Sequence, residues 1–97
     1  MCQIFSGQPP ENYEPVTRRL RLHGHSTSIR LERSFWQILD RMAAREGVTT
    51  PAFVSRLHDE VLAIHGQAPN FASLLRCACL VEASRDAYEP VYAMAAE

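Results

Sequence analysis

Two periodicities divide the chain. From Arg19 to Leu31 polar and apolar residues alternate, and from Phe35 to Val81 apolar residues recur at intervals of three and four. Alternation sends successive side chains to opposite faces, as a half-buried strand requires. It runs through Arg19-Leu20-Arg21-Leu22, breaks at His23-Gly24-His25 and resumes in Ser26-Thr27-Ser28-Ile29-Arg30-Leu31. In the second stretch Thr27, Ile29 and Leu31 share one face, and Ser26, Ser28 and Arg30 share the other.

Beyond Leu31 the period becomes helical. Phe35, Ile38, Leu39, Met42 and Ala43 form an apolar stripe that Trp36 widens, and Gly47 marks the stop after Glu46. Thr49-Thr50-Pro51 announces a second helix, since threonine caps free amides and proline suits a first turn. Its stripe is Phe53, Val54, Leu57, Val61 and Ile64, ending near His65-Gly66. A third helix starts at Asn70, carries Phe71, Leu74, Leu75, Ala78 and Val81 at helical spacing, and is expected to end at about Ala87. Residues 1–17, rich in turn formers, read as an irregular leader, and residues 88–97, with Pro90, as a flexible tail. Residues 18–87 are then one domain, mostly α with a short β-ribbon.

A lone strand leaves its backbone groups unpaired, so the Ser26–Leu31 segment needs a partner. One candidate lies in the same chain: Arg19–Leu22, turned back through Gly24-His25 with glycine at the first central position. In that register Leu22 faces Thr27, Leu20 faces Ile29 and Arg19 faces Arg30. The other candidate is the same strand of a second copy, antiparallel across a two-fold axis. In the hairpin register the apolar positions collect on one face and the arginines on the other.

The charge is uneven. Ten cationic residues, all arginine, meet eleven acids in 97 residues, for a net charge of −1. Residues 16–34 hold five arginines against Glu32 alone, whereas the segments on either side are net acidic. A local cationic patch steers anionic ligands whatever the total charge, and arginine pairs bidentately with phosphate or guanine. Size argues against a deep catalytic cleft, and no nucleophile–base order or phosphate-cradling glycine loop is visible, so no enzyme, catalytic residue or cofactor is expected. No apolar run approaches the ~20 residues of a membrane span, and the start lacks signal-peptide features. The expected setting is the cytoplasm.

Other reactive side chains receive plain readings. His23 and His25 flank Gly24 in a turn, and His58 and His65 stand roughly 10 Å apart along a helix, too far to share one ion; no metal site is expected. Cys77 and Cys79 point to different helix faces and read as small hydrophobes. Cys2 has no surrounding catalytic architecture, and Asp59, Glu60 and Glu82 read as polar helix surface.

One strand followed by two helices, hinged at Gly47-Val48-Thr49-Thr50, resembles a ribbon-helix-helix protein. The segments Arg19–Glu32, Phe35-Trp36, Ala43–Gly47 and Asn70–Arg76 resemble a bacterial subfamily of uncharacterised ribbon-helix-helix domain proteins, over roughly residues 18–81. The resemblance implies an intertwined homodimer whose β-ribbon enters the major groove of double-stranded DNA, as a sequence-specific transcriptional repressor or regulator. Carried over by position, Ser26, Ser28 and Arg30 would face base edges, and the amides around Thr49 and Thr50 would meet a phosphate. The shared dimer core would be Ile29, Leu31, Phe35, Trp36, Leu39, Phe53, Leu57 and Val61. If Arg19–Leu22 closes a hairpin, the dimer has four strands. Then either Arg19 and Arg21 flank phosphates, or the sheet reads something other than DNA. The alternative function is a dimeric interaction module that binds a protein partner through residues 70–87 and the tail, the same helix that could support a higher oligomer.

Overall fold

A computed structural model describes the backbone of residues 3–95 and the side chains of residues 3–85. Cys2 lies outside the described residues. The order is a short helix α1 (Gln3–Ser6), a 3-10 turn (Pro10–Tyr13), strands β1 (Pro15–Leu22) and β2 (His25–Glu32), then helices α2 (Arg33–Arg45), α3 (Thr50–His65) and α4 (Phe71–Ala95). The two strands form one antiparallel hairpin, and the three long helices cover one of its faces.

The hairpin differs from expectation in its turn and its length. Leu22 pairs with His25, Leu20 with Thr27, Arg19 with Ser28 and Thr17 with Arg30. The central turn residues are therefore His23 and Gly24, not Gly24 and His25. Both have positive φ, 54° and 77°, the requirement of a two-residue turn whose twist matches the strands. Glycine meets it freely, and histidine is among the residues enriched there. The register slides by two residues. Because two is the side-chain period, no residue changes face. β1 also begins at Pro15, inside the stretch read as leader; a proline is tolerated at the first residue of an edge strand.

The core lies between the hairpin and the helices. Leu20, Leu22, Ile29 and Leu31 project from the sheet onto Trp36, Leu39 and Ala43 of α2, Phe53 and Val54 of α3, and Leu75 and Cys79 of α4. Trp36 is 1% exposed, and its Nε1 donates to the Val16 carbonyl at 2.8 Å. Burial drives the Cys79 thiol up to about 11, an inert group that donates weakly to the Phe35 carbonyl at 3.5 Å.

The residues expected in a shared dimer core divide by burial within the chain. Ile29, Leu31, Trp36, Leu39 and Phe53 are buried within one chain, while Phe35, Leu57 and Val61 are partly exposed. Leu20 and Leu22 of β1 and Leu75 and Cys79 of α4 join the same buried cluster.

The helix ends follow their local chemistry. Gly47 and Gly66 take positive φ, 73° and 78°, after α2 and α3, closing each helix where a side chain would be strained. The Thr49 side chain accepts from the Ala52 amide at 3.2 Å and caps α3. The backbone of α4 continues through Pro90 to Ala95, past the end expected near Ala87. Among the described residues no helix is long and apolar enough to cross a membrane.

Candidate nucleic-acid interface

The hairpin presents its second face to solvent. Thr17, Arg19 and Arg21 of β1 alternate with buried or partly buried neighbours, and Ser28 and Arg30 of β2 do the same, with Ser26 beside the exposed His25. Pairing sets Arg21 beside Ser26, Arg19 beside Ser28 and Thr17 beside Arg30. All six are exposed and none is acidic. The sequence placed five of them on this face; Thr17 was missed because β1 was started too late.

Ion pairing separates this face from the rest of the molecule. Among the described residues six of the ten arginines touch a carboxylate: Arg18 with Asp40, Arg33 with Glu14, Arg45 and Arg85 with Glu82, Arg56 with Glu46, and Arg76 with Glu32. The other four are Arg19, Arg21, Arg30 and Arg41. Three of those four stand together on the outward hairpin face. Arg21 donates only to the neutral Gly24 carbonyl, at 3.1 Å. The face therefore offers three guanidinium groups with no carboxylate in contact among the described residues, and fixed like charges left unpaired together favour a polyanionic ligand.

Arg18 shows how the inward positions are treated. It reaches Asp40 bidentately, at 2.9 and 3.1 Å, and lies 4.5 Å from the centre of the Trp36 ring. The hydrogen bond to Asp40 holds Arg18 above its ordinary value and holds Asp40 below the usual carboxylate range. Arg18 is thereby withdrawn from the cationic cluster that the sequence suggested.

Backbone geometry defines the free edge. Around a two-residue turn the flanking residues exchange both hydrogen bonds, and this narrow pairing recurs at every second residue. The Arg33 amide donates to the Glu14 carbonyl at 2.9 Å, which extends the same series beyond the strands. Ser26, Ser28 and Arg30 thus turn their amides and carbonyls away from β1. The Arg30 carbonyl accepts from Arg76 of α4 at 3.3 Å. Beside this edge runs an open groove of about 500 Å³, floored by Leu22, Thr27, Ile29, Phe71 and Ala72.

The first turn of α3 has its own local partners. Pro51 has no amide proton, Thr49 occupies the Ala52 amide, and the Thr50 hydroxyl donates to Asp40 at 2.6 Å. The Thr50 amide is the first-turn donor with no partner among the described residues, and the nearby carboxylate opposes an anion there. Elsewhere, Leu80 and Val81 of α4 are 59% and 47% exposed, a partly apolar surface on the helix expected to contact other chains.

A family profile described as a ribbon-helix-helix domain matches residues 15–83, from the first residue of β1 into α4. Among solved structures, an uncharacterised protein from Bordetella pertussis Tohama I superposes with a TM-score of 0.88 at 42% identity, over 92% of this chain and 71% of that one. No curated protein matches.

Proposed function

Because the chain belongs to the ribbon-helix-helix domain family, we propose that it is a dimeric, sequence-specific DNA-binding protein acting in transcriptional repression or regulation. The outward hairpin face is its DNA-reading surface. The observation that carries this reading is the sorting of arginines, with Arg19, Arg21 and Arg30 unpaired on one face while most others are neutralised.

Dimerisation proceeds through the free β2 edge, where unpaired backbone groups of Ser26 and Ser28 lie beside an apolar groove. Two hairpins joined there make a four-stranded sheet. Neighbouring strands lie about 4.8 Å apart, so the outer strand axes are separated by about 14 Å. The major groove is about 12 Å wide. The central β2 strands then sit over base edges and the flanking β1 strands over the rims. That geometry divides the roles: Arg30, Ser26 and Ser28 meet bases, and Arg19 and Arg21 meet phosphates. Thr49 and Thr50 contribute little, through one amide at most.

The test is binding of a labelled mixed-sequence duplex followed by fluorescence anisotropy, between about 50 and 200 mM salt. Affinity falls steeply across that range, and an Arg19→Ala/Arg21→Ala variant binds more weakly with a flatter salt slope. Absence of binding at the lowest salt overturns the reading. It would favour an interaction module instead, for which the exposed Leu80 and Val81 of α4 are the specific support.

A further inference from the structure

The hairpin turn brings His23 against two adjacent residues of α3, His58 and Asp59. We propose that these three side chains bind a divalent transition-metal ion of the zinc, cobalt or nickel class. Each supplies a ligand atom, and the three atoms lie within 4.8 Å of one another. His23 Nε2 is 2.8 Å from Asp59 Oδ1. The His23 and His58 rings approach with centroids 5.1 Å apart and planes at 63°. Around a tetrahedral ion with bonds of roughly 2.0–2.1 Å, ligand atoms stand about 3.3 Å apart. The His23–Asp59 contact need only open slightly, and the remaining separations close by no more than about 1.5 Å.

A second observation points the same way. His58 Nδ1 is buried and has no hydrogen-bond partner among the described residues, which is unfavourable for a polar nitrogen unless something else satisfies the site. Phe71 meets the His58 ring edge-on, with centroids 4.8 Å apart and planes at 88°, so the imidazole is positioned by packing rather than by hydrogen bonds. His23 and His58 also line the open groove, where water can complete the coordination shell.

The donor set favours a divalent transition metal. Two imidazoles with one carboxylate suit zinc, cobalt or nickel; magnesium and calcium prefer all-oxygen shells, and copper(I) prefers thiolates. His25 and His65, the other histidines, are not part of the cluster among the described residues. A bound ion would join the hairpin tip to α3 across 35 residues of sequence and stabilise the folded chain by linkage. The proposal stands independently of DNA binding.

The experiment uses the full-length, metal-free protein, titrated with zinc by calorimetry and with cobalt by visible absorption. One ion binds per chain, and zinc raises the Tm. His23→Asn keeps a residue that tolerates positive φ in the turn, and Asp59→Asn alters an exposed side chain, so both variants retain the fold, as circular dichroism checks. Each weakens zinc binding at least tenfold, as does His58→Gln, while His65→Gln leaves it unchanged. Zinc also shifts the imidazole resonances of His23 and His58. The proposal is overturned if binding does not saturate, if it survives in His23→Asn and Asp59→Asn, or if it is abolished by Cys77→Ser with a thiolate charge-transfer band in the cobalt spectrum.

Discussion

Arg18 and Arg19 are neighbours in sequence and carry the same side chain, yet the hairpin gives them opposite surroundings. Arg18 points inward, is gripped by Asp40 and lies over Trp36. Arg19 points outward beside Ser28 and touches no acid. The difference is the period of a strand, which alternates faces at each residue. One face of the hairpin is thus bound into the fold and the other is left available to a ligand. Mutations on the two faces should separate stability from binding.

The largest separation is expected at Leu31 and Ser28. Leu31 is fully buried, and Leu31→Ala should destabilise the chain by ~2–5 kcal/mol through lost transfer energy and a cavity. Ser28→Ala should stay within ~0.5 kcal/mol, as exposed positions usually do. Urea denaturation at one fixed protein concentration measures both. A comparable loss at Ser28 would mean that the outward face is covered in solution, and the proposed DNA surface would then be closed.

Next come the arginines themselves. Arg30→Ala should cost ~1–3 kcal/mol on a preferred DNA sequence and relax base preference there, with folding stability nearly unchanged. Arg18→Ala should do the reverse, lowering stability by about 1 kcal/mol, with no direct loss of DNA contacts. The Arg18 and Asp40 side chains are 37% and 43% exposed, so water screens their attraction and keeps the effect small. Equal losses of DNA affinity in the two variants would erase the distinction between the faces.

The legibility of the molecule followed the range of the interactions involved. Which of Leu20, Arg21, Ile29 and Arg30 face the core was readable, because alternation is local and survives a register slip of two. The register was not, because choosing between Gly24-His25 and His23-Gly24 depends on which residues accept positive φ in a turn shaped by both strands. The caps at Thr49 and Gly66 were readable for the same local reason. The fate of Arg18 depends on Asp40, 22 residues away on another element, and no spacing rule joins them. The His23–His58–Asp59 cluster was missed likewise: sequence paired each histidine with its neighbour along the chain, whereas folding pairs the turn with α3.

Acid should expose the paired side of the comparison. Hydrogen bonds from Arg18, Arg76 and Arg45 hold Asp40, Glu32 and Glu82 below their ordinary values. A carboxylate depressed by folding contributes stability that is fully present above its unfolded pKa, about 4. That contribution is lost as pH falls through the lower folded pKa, because protonation breaks the pair. Urea midpoints should therefore decline below about pH 4, and the decline should be shallower in Asp40→Asn. Arg19→Ala should leave the profile unaltered, since Arg19 holds no carboxylate. A shallower decline in that variant would assign Arg19 an acidic partner.

The smallest effect concerns the turn that fixes the register of both faces. Gly24 has φ of 77°, and a Cβ placed on it meets no atom within 4 Å. Gly24→Ala therefore tests backbone conformation alone, without a steric clash. It should destabilise by ~1 kcal/mol, the scale of forcing an L side chain into left-handed backbone. His23→Asn in metal-free protein should be neutral or slightly stabilising, because asparagine followed by glycine is the preferred pair for this turn. If the turn instead centred on Gly24 and His25 in solution, with glycine first, an asparagine at position 23 would lie outside the two central positions and gain nothing from its tolerance of positive φ. Hydrogen exchange of the Leu20 and Thr27 amides, which this register pairs across the strands, distinguishes a shifted hairpin from a merely weakened one. Slow exchange at both sites in His23→Asn is the expected result, and faster exchange than in the unaltered chain would place the turn elsewhere.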